Sequence, residues 1–125
     1  MEVAMRLGID IIEVERIKQA IKCNARFQQR VYTTYEIEYS QGKKRHCYES
    51  LAGIYAVKEA FVKALGTGFR EGSWLDIEVN HTPKGAPFLV LSGVFKKIYE
   101  KQQLGPICVS ISHTRELAMA QIIIE

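Results

Sequence analysis

The stretch from His46 to Leu65 reads HCYESLAGIYAVKEAFVKAL. Leu51, Ile54, Tyr55, Lys58, Phe61, Val62 and Leu65 recur in it every three or four residues, the spacing that lines one side of an α-helix. There is no proline, and Gly53 is its one weak position. Gly66-Thr67-Gly68 then supplies the flexible residues expected at a helix C-terminus. Working outward, the segments around this helix mix strands of period two with further helices. Val3 to Ile12 reads as a strand, and a helix follows from about Glu13 to Cys23 with an apolar stripe at Val14, Ile17 and Ile21. Thr33-Thr34-Tyr35-Glu36 fits a helix-start box, and Gln41 to Arg45 reads as a polar loop. On the far side, Leu75, Ile77 and Val79 alternate as a strand. Thr82 to Pro87 is a turn and Phe88 to Leu91 the second arm of that hairpin. Ser92 to Gln103 reads as a helix with Val94, Phe95, Ile98 and Tyr99 on its apolar face. Ile107, Val109 and Ile111, then Ala118, Ala120, Ile122 and Ile124, predict an antiparallel hairpin across Thr114-Arg115-Glu116. Strands and helices mix without regular βα alternation. The expected fold is α+β, a mostly antiparallel sheet packed with helices in one domain, residues 1–125.

Composition agrees with one modest core. The chain has 125 residues, 47% hydrophobic and 25% charged, which excludes intrinsic disorder and collagen-like repeats. No apolar run approaches the roughly 20 residues that cross a bilayer, and the first residues form no secretory leader, so a cytoplasmic protein without membrane attachment is expected. Cys23, Cys47 and Cys108 are odd in number and widely spaced, and they read as reduced thiols. Seventeen Lys and Arg against fourteen Asp and Glu leave a net charge of only +3. That charge is concentrated: Arg16, Lys18, Lys22, Arg26 and Arg30 follow one another with no acid from Arg16 to Tyr35. Such a face is either a solvated helix surface or a dock for an acidic partner. Aromatic and basic residues do not alternate along it as a single-strand nucleic-acid stacking platform would require.

Three groups could carry chemistry. Asp10 sits among branched apolar residues, where an unpaired carboxylate is costly to bury. It lies on an exposed face, caps the next helix, or has a cation beside it. Glu59 and Lys63 share one helix face four residues apart. Alone they are a surface ion pair worth about 0.2–0.5 kcal/mol; with Asp10, Glu59 could hold a hard divalent cation such as Mg²⁺. Lys58 points toward the apolar stripe, where its stem can pack. The glycines of Gly66-Thr67-Gly68-Phe69-Arg70 either end the helix or let a phosphate come close. In Ser110-Ile111-Ser112-His113-Thr114, hydroxyls and imidazole either face solvent on an edge strand or donate to phosphate oxygens.

Four blocks in this order resemble the short class of 4′-phosphopantetheinyl transferases, the holo-acyl-carrier-protein synthases. They are Gly8-Ile9-Asp10-Ile11 running on to Arg16-Ile17, the block from Tyr55-Ala56-Val57-Lys58-Glu59-Ala60 to Gly68, Ser73 to Val79, and Val109 to Thr114. Smaller matches are Ala25-Arg26-Phe27 and Lys84 to Phe88. The resemblance implies transfer of 4′-phosphopantetheine from coenzyme A to a serine of apo acyl carrier protein, in fatty acid biosynthesis. Adenosine 3′,5′-bisphosphate would be released. It further implies Asp10 and Glu59 as Mg²⁺ ligands, and Lys63 as a phosphate contact that stabilises or protonates the leaving group. Gly66, Thr67, His113 and Thr114 would line the coenzyme A site. Arg16, Arg26 and Phe27 would dock the acidic carrier, and a homotrimer would form its active sites between subunits. Glu59 is the expected general base, acting directly or through a metal-bound water.

One position departs from the family. Many members carry a basic residue before the aromatic that precedes Lys-Glu-Ala, and this chain has Ile54. Lys43, Lys44, Arg45 and His46 are the candidates to supply that charge. The alternative from another class is a noncatalytic basic module that binds acidic proteins. It accounts for the Arg16–Arg30 face but gives no reason for Asp10, Glu59 and Lys63 to occur together.

Overall fold

The structure, a computed structural model, describes residues 5–68 and 72–125. Val3 of the expected first strand and Phe69-Arg70 after the glycines lie outside the described residues. The elements run β1 (Arg6–Glu13), α1 (Val14–Cys23), α2 (Phe27–Val31), α3 (Thr34–Gly42), α4 (Cys47–Leu65), β2 (Ile77–His81), β3 (Pro87–Leu91), α5 (Gly93–Lys101), β4 (Ile107–His113) and β5 (Leu117–Ile124). Single 3₁₀ turns stand at Lys44–His46 and Trp74–Asp76.

The long helix α4 is buried on nearly every side, from Leu51 and Ala52 to Ala64 and Leu65, which makes it the axis of the domain. The antiparallel pairing expected is present, and among the described residues it forms a three-stranded sheet, β1-β5-β4, and the separate hairpin β2-β3. The inner face of the first carries Ala118, Ala120, Ile122 and Ile124, all buried. At Gly8 the strand backbone meets α4 so closely that a Cβ would lie 1.9 Å from the Ala60 carbonyl oxygen. Only glycine permits that approach.

Four expectations shift. The loop at Gln41 to Arg45 is the end of α3 and a 3₁₀ turn. The short helix α2 occupies a stretch for which periodicity predicts nothing, being barely one turn. Leu75 belongs to the turn before β2 and is exposed, so the strand begins at Ile77. Lys58 is fully buried, ammonium included. Its Nζ donates to Val31 O at 2.6 Å, Glu36 Oε1 at 2.7 Å and Trp74 O at 3.0 Å, satisfying all three protons. Glu36 closes the expected capping box with Thr33, and its Oε2 also accepts from the Val79 amide at 2.7 Å. One ion pair thus ties α3, α4 and the start of β2 together.

Candidate active site

The register of the three-stranded sheet puts Asp10 opposite Ala120, which in turn stands opposite Ile111. Side chains alternate across a strand, so Asp10 shares the inner face with buried Gly8 and Ile12 while Ile9 and Ile11 point outward. Small Ala120 beside it leaves room for the carboxylate to face α4. There Lys63 Nζ donates to Asp10 Oδ1 at 2.9 Å and to Ile9 O at 3.1 Å. The Asp10 side chain is 14% exposed and Lys63 53%, so the pair sits at a rim. Of the readings open for Asp10, the neighbouring cation is the one found, and Lys63 is turned to Asp10 instead of pairing along the helix with Glu59.

Glu59 completes the cluster. Burial raises its carboxyl above the ordinary carboxylate range, and the Asp10 charge raises it further; Lys63 and a hydrogen bond from the Tyr55 hydroxyl act the other way. Two carboxylates that repel one another beside one lysine form a site with capacity for added positive charge. One turn beyond, Gly66 ends α4 in the left-handed conformation at φ 81°, and the Thr67 hydroxyl donates to Gly68 O at 3.1 Å.

His113 and Thr114 lie elsewhere. His113 Nδ1 is 3.7 Å from Glu49 Oε2, which His46 Nδ1 approaches to 3.1 Å. Glu49 precedes Glu59 by ten residues on α4, about 15 Å along the axis. The Thr114 hydroxyl accepts from the amides of Glu116 and Leu117 and so shapes the β4–β5 turn, leaving its own proton to donate. Ser110 and Ser112 point to the exposed outer face, away from His113, because strand alternation separates them. Around His113 opens a cavity of about 340 Å³ whose lining includes Tyr39, Lys43, His46, Glu49 and Ile54. A second, of about 350 Å³, is lined by Arg45, His46, Glu49 and Arg115. His81 lies flat on Tyr39 at 3.7 Å, with Lys43 Nζ 4.9 Å over the Tyr39 ring. The cavities hold one carboxylate among several basic side chains and suit an anion next to a planar ring.

The basic face is present as expected. Arg16, Lys22, Arg26 and Arg30 are exposed, but Lys18 is half-buried over the Tyr48 ring. Phe27 is also half-buried, stacked on Tyr55 with centroids 6.4 Å apart. Periodicity places Tyr55 on the apolar stripe without giving it a site role, and it gives none to Glu49, Tyr39 or His81. The four-residue step from Tyr55 to Glu59 was the available signal for the first, whereas the others come together only through chain folding.

A family model for the 4′-phosphopantetheinyl transferase superfamily matches residues 6–121. The chain belongs to this superfamily. Within the superfamily, a holo-[acyl-carrier-protein] synthase of Clostridium tetani is 48% identical over 120 residues, 95% of this chain and 94% of that protein. The crystal structure of a holo-(acyl-carrier-protein) synthase from Bacillus anthracis in complex with CoA (3′,5′-ADP) superposes with a TM-score of 0.78 at 38% identity, covering 96% of this chain and 95% of that one. The Helicobacter pylori synthase in complex with coenzyme A gives 0.82 at 33% identity, covering 95% and 99%. All three are similar over nearly their full lengths, so the α+β fold of this chain is that of the superfamily.

Proposed function

We propose that this protein transfers the 4′-phosphopantetheine arm of coenzyme A to a serine hydroxyl of apo acyl carrier protein, releasing adenosine 3′,5′-bisphosphate, in fatty acid biosynthesis. The observation that carries this reading is the meeting of Asp10, Glu59 and Lys63 at one rim of the sheet, in a chain of this superfamily. Relatives bound to coenzyme A supply the co-substrate.

Phosphoryl transfer asks of a protein mainly alignment and charge neutralisation. Asp10 and Glu59 are hard oxygen donors, and two carboxylates match the protein's share of an Mg²⁺ shell. Bound there, Mg²⁺ would polarise the pyrophosphate and shield its charge. Glu59 takes the serine proton as the hydroxyl oxygen bonds to phosphorus and the P–O bond to the nucleotide breaks. Lys63, one turn on, neutralises the leaving oxygen. Gly66 and Thr67 border the path of the coenzyme; His113 and Thr114 receive its nucleotide end. Lys43 and His46 share a cavity with Ile54 and supply the charge that this position lacks. Arg16 and Arg26, with the free edge of Phe27, dock the acidic carrier, which speeds encounter and fixes register.

The two half-sites, about 15 Å apart on one helix, join across copies in a homotrimer. Leu7, Ile9 and Ile11 are 59%, 52% and 58% exposed on the outer sheet face, an apolar surface that a second copy would cover. Three free cysteines, two of them exposed, suit a reducing cytoplasm. Among the described residues no helix is long and apolar enough to cross a membrane.

The test is to incubate the protein with coenzyme A, Mg²⁺ and several apo carriers, then weigh the carriers by mass spectrometry. A phosphopantetheine mass gain is expected; none on any carrier would reject the proposal in favour of a noncatalytic module. Glu59→Gln and Lys63→Ala should abolish transfer with the fold unchanged, and Arg16→Glu should chiefly raise the KM for carrier at low salt. Coenzyme A should bind more tightly than dephospho-coenzyme A, and equal affinities would remove the role given to Lys43 and His46.

A further inference from the structure

His81 ends β2 and lines the cavity around His113, with Tyr39, Lys43, His46 and Glu49. Its place is set by a buried anchor two residues earlier, where Glu36 on α3 accepts from the Val79 amide at 2.7 Å. Tyr39 follows Glu36 by three residues on one side of the helix, and His81 follows Val79 by two on one face of the strand. The anchor therefore brings the two rings together. Their centroids are 3.7 Å apart and their planes at 6°. Tyr35 flanks both, at 6.3 Å from Tyr39 and 6.5 Å from His81. An imidazole packed in this way keeps its plane.

The two ring nitrogens of His81 differ. Nδ1 is buried and has no hydrogen-bond partner among the described residues. Enclosed N–H groups without an acceptor are rarer in proteins than enclosed acceptors without a donor, so the ring proton belongs on Nε2. Nε2–H is then the polar group that His81 can offer the cavity. Burial, and after it the Lys43 charge, pushes the imidazole below the ordinary histidine range, so the ring is uncharged at neutral pH. An uncharged donor on a flat wall adds little for a phosphate, which charged partners hold more strongly. It suits an uncharged acceptor in a planar ligand. We infer that His81 determines specificity at the nucleotide end of the co-substrate, its Nε2–H donating to a ring nitrogen of adenine while Tyr39 holds the imidazole in plane. The inference rests on the assignment of this cavity to coenzyme A made above. Charge on Lys43 and His46 then serves the phosphate, and the hydrogen bond from His81 serves the base.

The test compares two ligands by isothermal titration calorimetry: adenosine 3′,5′-bisphosphate, and its abasic analogue in which hydrogen replaces adenine. His81→Phe keeps a flat ring against Tyr39 and removes the donor. It should weaken the first ligand about 5-fold, the share of one neutral hydrogen bond, and leave the second unchanged. His81→Gln carries an amide N–H near the position of Nε2 and should restore part of the lost affinity. Wild-type affinity of His81→Phe for adenosine 3′,5′-bisphosphate would overturn the inference. So would an equal loss for both ligands, which places the effect in the fold or at the phosphates, or a His81→Gln no better than His81→Phe. A wild-type protein that binds neither ligand would overturn the assignment of the cavity to coenzyme A, and the inference with it. That failure is distinct, because it shows before any residue is substituted.

Discussion

Lys58 and Glu59 are sequence neighbours with opposite surroundings, because a helix turns 100° between them. Lys58 is driven into the core and Glu59 onto the rim. Burial pushes the Lys58 ammonium down and the Glu36 carboxyl up from their ordinary values, and each charge holds the other back. With Thr33 and Val79 amides also on Glu36, no polar atom of this pair's charged ends is left without a partner. Breaking such a pair leaves one buried charge uncompensated, at a cost of about 3–5 kcal/mol. Glu36→Gln should therefore lower the urea midpoint strongly, and Glu36→Gln with Lys58→Met should recover part of the loss. A double variant no more stable than Glu36→Gln would show that the charges themselves are not what the site requires. Spacing placed Lys58 on the apolar side of α4 but could not supply Glu36, 22 residues upstream. The same residue was readable as a cap because that bond spans only three positions.

At the scale of elements, what decides the site is how closely β1 and α4 approach. Gly8 and Gly53 make a contrasting pair. A Cβ at Gly8 would strike backbone, the Ala60 carbonyl oxygen at 1.9 Å. At Gly53 it would meet only the Ile111 Cγ2 methyl, at 3.1 Å, a contact that a shift of a few tenths of an ångström relieves. Gly8→Ala should therefore push β1 off α4, destabilising by about 3 kcal/mol or more and separating Asp10 from Lys63. Gly53→Ala should be nearly neutral, since helix propensity returns up to about 1 kcal/mol. Thermal unfolding of both variants checks this, and similar midpoints would mean that the sheet and helix are not held together at Gly8. Both hairpins and the long helices were legible because their periodicity extends over several turns or rungs. The five-residue α2 is too short to show a period; in the fold it buries Val31 and lays Phe27 against the Tyr55 ring.

For the whole molecule, the rows Leu7–Ile123–Cys108 and Ile11–Met119–Ser112 form an outer face that no element among the described residues covers. In the proposed trimer this face is the contact that brings one copy's Asp10, Glu59 and Lys63 to the next copy's basic cavity. Ile11→Glu places a charge at its centre, where an unpaired carboxylate is costly to bury. Light scattering should then report a monomer of unchanged fold, and transfer should fall steeply because each site loses half its walls. An unaltered assembly, or a monomer with full activity, would refute the interfacial site.

Period and spacing were sufficient for the long helix, the strand pairs, the capping box and the basic face, since each depends on neighbours within a turn or a rung. The family was legible by resemblance alone, in blocks that run through nearly the whole chain. Which cation meets Asp10, how Glu36 and Lys58 are buried together, and that His113 opens a separate cavity are all set by strand register and by the crossing of α4 over the sheet. Those are long-range outcomes of filling one core, and residues far apart in sequence share no local signal of where that packing will bring them.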